Sequence, residues 1–315
     1  MANRYTVKYL THQATLAEGI PKKLQENLEV WLEAINQQMS VYRDDSTISH
    51  FNQLKAGEGL DIGIEFAEVV RAAQRLHRQT EGGLDITLAP LIDFWGYGAK
   101  SSSSPADEVL TRLHAMVGMD KFSLQTREGK PFLQKQHSEV RIDVSAIAKG
   151  YAVDGMAHIL DTFSIDNYLI DIGGDMRAKG VNAQGKPWQV AIENPILPEK
   201  SLVISLSNQS IATSGNYRHC HHDGSGQLIH HVISPMTFMP TPADLLSITV
   251  IADSVMTADG LATGLYTLGV ERALILADVH QLPICLLTKN TEERLEYHCS
   301  TAFLPFLIKP LKGDL

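Results

Sequence analysis

The chain has 315 residues, of which 44% are hydrophobic and 20% are charged, which is the composition of an ordinary globular protein. Its formal net charge of -9 excludes a protein that binds nucleic acid through a broadly basic surface. The sequence contains no apolar run of the roughly 18 residues that a membrane-spanning helix needs, and residues 1–10 do not form a signal peptide. An anionic ligand would therefore need local groups such as a metal ion, a lysine or backbone N–H groups.

Amphipathic helices are predicted in the first third of the chain. Apolar side chains recur at helical spacing in residues 21–39, with charged and polar residues between them, and residues 65–79 form a second such segment. Residues 81–98 are interrupted by several glycines and a proline, which favours a loop over a regular element. The serine-rich residues 101–105 predict an exposed surface loop.

The rest of the chain mixes predicted strands and helices without regular alternation. This order favours an α+β fold over a doubly wound sheet. No internal repeat or linker divides the sequence, so one domain covering residues 1–315 is predicted, built of closely packed lobes. The predicted strands are residues 140–144, Tyr168–Ile172, Trp188–Ile192, Leu202–Leu206 and 248–251, and the predicted helices are residues 146–160 and 258–268, the second ending at Gly269.

The three cysteines, Cys220, Cys285 and Cys299, have no CxxC spacing. They therefore indicate neither a redox motif nor a four-cysteine zinc site, and their odd number excludes a fully paired set within the chain. Cys285 lies in the apolar residues 282–287, which predicts a small buried thiol.

A candidate phosphate site lies at residues 143–150, where a predicted strand ends in a polar turn that opens a helix. Backbone N–H groups at a helix N-terminus attract anions, and Lys149 adds a positive charge. The alternative is a capped helix with a surface lysine. Gly173 and Gly174 follow the next predicted strand, and a tight turn is favoured there over close approach to a ligand.

A candidate metal site involves Asp259 and Thr263, which are spaced i and i+4 on one face of a predicted helix. Both offer oxygen atoms, the ligands that a hard cation such as Mg²⁺ prefers, and Mg²⁺ usually takes few ligands from the protein. Such a pair is commonly structural when it stands alone.

Histidines cluster in one part of the sequence. A zinc site is one interpretation, but adjacent histidines point in different directions, and Asp223-Gly224 indicates a hairpin turn between them. One histidine acting in acid–base chemistry is favoured over zinc. The clustered histidines are His219, His221, His222, His230 and His231.

The order of these segments resembles the ApbE family, the FAD:protein FMN transferases, over nearly the whole chain. The family has a fold related to the T-fold, which agrees with the α+β prediction. The matching stretches are residues 39–46 with Phe51 and Asn52, 83–87, 90–91, 95–98, 143–154, 172–175, 212–215 with Tyr217 and Arg218, 231–235, and 258–263.

The resemblance implies roles for individual residues. His231 matches a histidine that assists catalysis, in a site that also contains Asp259. The metal position would be formed by Asp259, Thr263 and the backbone carbonyl of Ala146. The implied FAD contacts are Tyr42, Gly83, Leu84, Asp85, Asp143, Lys149 and Ile233.

The implied reaction is Mg²⁺-dependent transfer of FMN from FAD to a Thr hydroxyl of an acceptor protein, with release of AMP. The acceptor would carry a Thr-bearing flavinylation motif, as a subunit of a respiratory redox complex does. Two alternatives stay open: a pyrophosphatase that hydrolyses FAD to FMN and AMP, and a non-catalytic flavin-binding protein. The family further implies a location on the periplasmic side of the bacterial inner membrane, with a lipid-bearing leader upstream of this chain.

The sequence departs from the family pattern in two places. The usual Asp-Pro-x-Thr-Gly is replaced at residues 234–238 by Ser-Pro-Met-Thr-Phe, which removes a carboxylate and puts Phe238 in the position of a glycine. At the start, the usual Met-Gly-Thr is Met1-Ala2-Asn3.

Overall fold

The computed structural model describes residues 4–11, 20–97, 107–216, 220–222, 228–230, 232–290, 292 and 294–308. No helix among them combines the length and apolar character needed to cross a membrane. The described α-helices are α1 (Ile20–Met39), α2 (Thr47–Gln53), α3 (Ile64–Gln79), α4 (Ala89–Ile92), α5 (Asp107–Met116), α6 (Ser145–Thr162) and α7 (Val255–His280).

Strands dominate the second half of the chain. The described strands are β1 (Tyr5–Tyr9), β2 (Gly59–Asp61), β3 (Phe122–Arg127), β4 (Lys130–Lys135), β5 (Tyr168–Ile172), β6 (Asp175–Lys179), β7 (Trp188–Ile192), β8 (Leu202–Leu206), β9 (Ser210–Gly215), β10 (Cys220–His222), β11 (Leu228–His230), β12 (Leu245–Ala252), β13 (Ile284–Lys289) and β14 (Leu295–Cys299).

A seven-stranded sheet forms the centre of the fold, in the order β1-β5-β6-β9-β12-β13-β14. Every neighbouring pair in it is antiparallel. Smaller sheets are formed by β2-β4-β3, by β7-β8 and by β10-β11. This arrangement of helices on an antiparallel sheet confirms the predicted α+β class.

The central sheet separates two apolar cores. Because successive side chains of a strand point to opposite faces, Tyr168 and Ile170 of β5 face the side covered by α1, α3, α6 and α7, whereas Leu169 faces the other side. Strand β13 follows the same alternation, with Ile284 on the helix side and Cys285 opposite. The β7-β8 hairpin covers the second face.

Helices α6 and α7 approach each other very closely at Gly150. A Cβ atom at this position would lie 2.5 Å from the Val255 carbonyl oxygen and 2.7 Å from the backbone nitrogen of Met256. Only glycine leaves room for the backbone of α7 to begin here. The crossing therefore places the first turns of both helices in contact.

The N-terminus of α7 is held by Asp154 of α6. Val255 N–H donates to Asp154 Oδ1 at 2.8 Å, and Met256 N–H donates to Asp154 Oδ2 at 2.9 Å. These N–H groups lack partners within their own helix, so the carboxylate satisfies two of them at once. Ser254 adds a conventional cap, because its Oγ accepts a hydrogen bond from Thr257 N–H.

Replacing Asp154 with alanine is expected to destabilise the protein by about 1–3 kcal/mol, because two buried N–H groups lose their acceptors. Urea unfolding measures this loss. Asp154→Asn keeps one acceptor oxygen and should lose less. Equal stability of Asp154→Ala and the wild type would contradict the role of this carboxylate.

Most predicted elements are confirmed, and several boundaries change. The helices predicted at residues 21–39, 65–79 and 146–160 are α1, α3 and α6, and β5, β7 and β8 have the predicted bounds. The strand predicted at residues 140–144 is wrong: this segment pairs with no strand, and the Asn52 side chain holds the backbone of Ile142 instead.

One further prediction needs correction. Residues 81–98 are not only a loop, because α4 and a π-helical turn at Asp93–Tyr97 lie within them. The helix predicted to end at Gly269 does break there, because Gly269 adopts the non-helical φ 77° and ψ 176°, and a second helical stretch that was not predicted continues to His280. The serine-rich residues 101–105 lie outside the described residues.

The prediction of a free thiol at Cys285 is also wrong. Cys285 forms a disulfide with Cys299, and the two residues lie directly opposite each other on β13 and β14. Hydrophobicity alone indicated that Cys285 would be buried, which is confirmed, but the partner is set by the register of two antiparallel strands.

Candidate active site

Asp259 lies in the second turn of α7, where this helix passes Gly150 of α6. Its carboxyl group is buried, with 5% of the residue exposed, and Asp259 Oδ2 accepts a hydrogen bond of 3.0 Å from Gly150 N–H. In a regular α-helix that N–H group points at the carbonyl of residue 146. Ala146 thus lies one helical turn before the N–H group that contacts the Asp259 carboxylate.

A second carboxylate, Asp175, joins this position from the start of β6. Asp175 is 1% exposed, its Oδ2 lies 2.9 Å from Lys149 Nζ, and its carboxyl group is within hydrogen-bonding reach of Asp259. Apart from the ion pair, Asp175 Oδ2 receives no hydrogen bond of ordinary geometry from the described residues. Two buried carboxyl groups and one ammonium group thus share one small region.

The electrostatics of this cluster favour binding of a cation. Burial raises the pKa of Asp259 well above its ordinary value, and the Asp175 charge raises it further, while Lys149 and the Gly150 N–H act in the opposite direction. Burial likewise raises the pKa of Asp175. Two adjacent carboxylates that are shielded from water repel each other, and either a shared proton or a nearby positive charge relieves this repulsion.

Thr263 lies one turn of α7 beyond Asp259. Its Oγ1 is 3.0 Å from the hydroxyl of Ser214 on β9. No group of three or more His, Cys, Asp and Glu side chains among the described residues could hold a metal unaided. The oxygen groups on this face of α7 are instead the Asp259 carboxylate and the Thr263 hydroxyl, a donor type that fits a hard divalent cation with open positions for phosphate and water.

The segment predicted to contact FAD lies against the same helix. Gly83 is packed so closely on α7 that an added Cβ would collide with the Gly264 carbonyl oxygen, and Thr267 Oγ1 donates to the Gly83 carbonyl at 2.8 Å. The Leu84 side chain is in the core, and its backbone N–H donates to Thr80 Oγ1 at 2.9 Å. The side chain of Leu84 therefore packs in the core, and only its backbone is placed to contact a ligand.

Asp85 and Asp143 are two further polar residues predicted to contact FAD. Asp85 Oδ1 accepts hydrogen bonds from the backbone and the hydroxyl of Thr87, and Asp143 Oδ1 accepts the corresponding pair from Ser145. Asp143 N–H donates to the Ile86 carbonyl at 2.7 Å. This bond joins the two segments, so residues distant in sequence form one continuous edge.

The remaining predicted site residues are more scattered. Ile233 is buried beside Trp95 and Phe238, and Tyr42 is 91% exposed in the turn after α1. His231 lies outside the described residues, as do Tyr217 and Arg218. Asp223-Gly224 also lies outside the described residues, and the turn there stays a prediction, although β10 and β11 pair as a hairpin. The histidine cluster as a zinc site likewise stays a prediction.

Comparison with known proteins decides the family. The ApbE family model matches residues 1–286. The chain belongs to the ApbE family. It is 39% identical over 313 residues to an FAD:protein FMN transferase of Vibrio cholerae, covering 98% of this chain and 91% of that protein. A relative of the same name from Haemophilus influenzae is 40% identical over 309 residues, covering 96% and 88%.

Solved structures of ApbE proteins have the same fold. The flavin transferase ApbE of Vibrio cholerae superimposes with a TM-score of 0.84 at 37% identity, covering 98% of this chain and 96% of that one. The apo form of the Pseudomonas stutzeri flavinyl transferase ApbE gives a TM-score of 0.87 at 29% identity, covering 98% and 94%.

The departure from the ApbE pattern at Phe238 preserves the backbone conformation. Phe238 adopts φ 62°, the left-handed region that favours the glycine usual in the family. Its side chain is buried, and its carbonyl accepts a hydrogen bond of 2.9 Å from Trp95 Nε1. Packing against an aromatic residue thus compensates for the strained conformation.

Asp175 and Ser214 belong to this site but were not predicted as functional residues. Both lie in stretches that resemble the ApbE family, and those stretches were the only available signal. Gly173 and Gly174 form a tight turn between β5 and β6, as predicted, and that turn delivers Asp175 to the cluster.

Proposed function

We propose that this protein transfers FMN from FAD to a threonine hydroxyl of an acceptor protein, with release of AMP, in a Mg²⁺-dependent reaction. Relatives named FAD:protein FMN transferase support the substrate and the kind of acceptor. The observation that carries the chemistry is the buried cluster of Asp259, Asp175 and Lys149 at the crossing of α6 and α7, because it combines oxygen ligands with a positive charge.

The residues proposed to hold Mg²⁺ are Asp259, Thr263 and the carbonyl of Ala146. Bound there, Mg²⁺ would neutralise charge on the non-bridging oxygens of the FAD pyrophosphate. The Gly150 N–H, which contacts Asp259, supports the inclusion of Ala146, because the carbonyl four residues earlier in a helix points toward that N–H group. Ser214 supports the assignment of Thr263, because its hydroxyl is within hydrogen-bonding distance of Thr263 Oγ1, at 3.0 Å; either oxygen can donate, and when Thr263 does, its lone pairs remain for the cation.

Replacing Ser214 with alanine is expected to weaken binding of the probe ion Mn²⁺ by about 10-fold, since Thr263 loses the group that orients it. Titration followed by electron paramagnetic resonance measures the affinity. Thr213→Val is the matched control, because Thr213 is the adjacent residue on β9 and contacts Thr249 instead. Equal Mn²⁺ affinity in Ser214→Ala and the wild type would contradict this positioning.

In the proposed reaction the threonine oxygen attacks the phosphorus atom of the FMN half of FAD. The phosphorus–oxygen bond to the AMP half breaks, and its electron pair leaves with AMP. Lys149 would stabilise the negative charge that develops on the phosphate oxygens. The threonine proton must be removed as the new bond forms, and His231 is the residue we propose for this step.

The proposed FAD surface is the edge that runs from Gly83 to Asp143. Gly83, Leu84 and Asp85 lie on one strip of it, and the hydrogen bond between Asp143 and Ile86 aligns the second strip. Leu84 can contribute through its backbone carbonyl, which also contacts His77. Lys149, Tyr42 and Ile233 complete the proposed set, with Tyr42 supplying an exposed aromatic ring.

The test is incubation of the protein with FAD and Mg²⁺, with and without an acceptor domain that carries a flavinylation threonine. Transfer predicts that AMP appears only with acceptor and that the acceptor gains the mass of FMN. Changing the acceptor threonine to valine should abolish both signals. Rapid AMP release without acceptor would identify an FAD pyrophosphatase, and intact FAD after prolonged incubation would identify a flavin-binding protein without turnover.

We propose further that the protein acts on the periplasmic side of the inner membrane. The Cys285–Cys299 disulfide supports this, because such bonds persist in oxidising compartments and are rare in the cytosol. A lipid anchor and a respiratory acceptor stay predictions from the family. Thiol labelling of the protein isolated from its native cells tests the location: blocked Cys285 and Cys299 agree with the periplasm, and two free thiols would contradict it.

A further inference from the structure

Asp175 is the one member of the buried cluster to which neither the metal nor the FAD contacts give a role. It opens β6 immediately after Gly173 and Gly174, whose φ values of 61° and 98° form a two-residue hairpin turn. The turn requires the glycines, but not a carboxylate after them. A neutral residue would form the same strand start without burying a charge.

Burying the Asp175 carboxylate costs free energy of folding. The ion pair with Lys149 is not expected to offset this cost, so stability does not explain why a carboxylate lies here. Asp175 is 1% exposed and Lys149 is 23% exposed, and replacing a buried ion pair with apolar residues is often neutral or stabilising. Asp175 Oδ2 has no aligned hydrogen bond from the described residues beyond the ammonium at 2.9 Å. The arrangement is better explained by what it does to Lys149.

The proposed role of Lys149 at the FAD phosphates requires its ammonium group to be held in one position. A lysine ammonium is a point charge on a flexible stem, so its location is set by its partners. Asp259 is the other buried carboxylate whose charge Lys149 influences. An ion pair between Lys149 and Asp259 would occupy the carboxylate that is proposed to hold the metal.

We propose that Asp175 is a positioning residue for FMN transfer: its carboxylate holds the Lys149 ammonium beside Asp259, so that Lys149 faces the FAD phosphates while Asp259 stays available to the metal. This inference rests on the proposed function. It assigns Asp175 an action through Lys149, without contact between Asp175 and FAD.

The experiment compares Asp175→Asn, Lys149→Met and the double variant. Asp175→Asn is expected to raise the KM for FAD by at least about 10-fold and to weaken Mn²⁺ binding by a similar factor. In the Lys149→Met background the same change should have less than about a third of its effect on KM, because the residue that it positions is gone. Asp175→Glu, which keeps the charge, should recover part of the lost affinity for FAD.

Asp166→Asn is the matched control. Asp166 also forms an ion pair with a lysine, Lys179, at 3.0 Å, but it is 76% exposed and lies in the connection between α6 and β5. Its KM and Mn²⁺ affinity should equal those of the wild type. Thermal unfolding of every variant separates loss of fold from loss of positioning.

Several results would overturn the inference. The inference fails if Asp175→Asn has the KM and the Mn²⁺ affinity of the wild type. It also fails if the effects of Asp175→Asn and Lys149→Met on KM are fully additive, because Asp175 would then act independently of Lys149. If Asp175→Asn does not fold, Asp175→Glu decides, because a folded variant with unchanged KM contradicts the role. If the wild-type protein transfers no FMN, the proposed function itself is refuted. Even then, an unchanged Mn²⁺ affinity in Asp175→Asn would contradict the positioning role of Asp175.

Discussion

Replacing Asp259 with alanine is expected to reduce Mg²⁺-dependent FMN transfer by about 1,000-fold or more. The substitution removes the only carboxylate among the proposed metal ligands, and groups that stabilise charge in a transition state commonly contribute factors of this size. It also leaves the Gly150 N–H without its side-chain acceptor. Initial rates of AMP release at saturating FAD, measured with acceptor and over a range of Mg²⁺ concentrations, test the expectation.

The companion variant Asp259→Asn distinguishes the metal role from the packing role. The amide keeps an oxygen for the Gly150 N–H and nearly the same volume, but it is a poorer ligand for a hard cation. It should fold like the wild type and still lose most activity. Asp278→Ala, at an exposed aspartate near the end of α7, is the control that should leave the rate unchanged. Near-normal rates in Asp259→Asn would remove Asp259 from the metal site.

Replacing Lys149 with methionine is expected to lower kcat/KM for FAD by about 100-fold, because the phosphates lose a positive charge next to the reacting phosphorus. Methionine retains much of the apolar stem of lysine. The affinity for Mn²⁺ should not fall, since removal of a cation next to a cation site reduces repulsion. Steady-state kinetics measures the expected loss of kcat/KM, and Mn²⁺ titration tests whether the metal affinity is retained.

The control for Lys149 is Lys179→Met. Lys179 is 30% exposed, close to the 23% of Lys149, and it also pairs with carboxylates, Asp161 and Asp166. Its loss should leave both kinetics and metal affinity unchanged. A parallel fall of FAD turnover and Mn²⁺ affinity in Lys149→Met would show that the substitution collapses the cluster, and Lys149 would then have no separate role at the phosphates.

The sequence by itself determined the family, the α+β class and most of the regular elements. Helices α1 and α3 are predictable from apolar periodicity, which local spacing encodes directly. It also singled out Asp259 and Thr263, because residues four apart on a helix lie on one face whatever surrounds them. Gly269 was correctly predicted as the end of a helical stretch, but the stretch that follows it to His280 was not predicted, since the conformation beyond a glycine depends on the packing of the next segment.

Tertiary structure alone decided how these pieces meet. The ion pair of Asp175 with Lys149, the contact of Gly150 with Asp259 and the disulfide of Cys285 with Cys299 join segments that no local pattern relates. Asp175 was visible only as the residue after a glycine turn, because its burial depends on helices that pack over the sheet. The pair Asp259 and Thr263 is a coincidence of spacing until α6 brings the Gly150 N–H to Asp259 and β9 brings the Ser214 hydroxyl to Thr263.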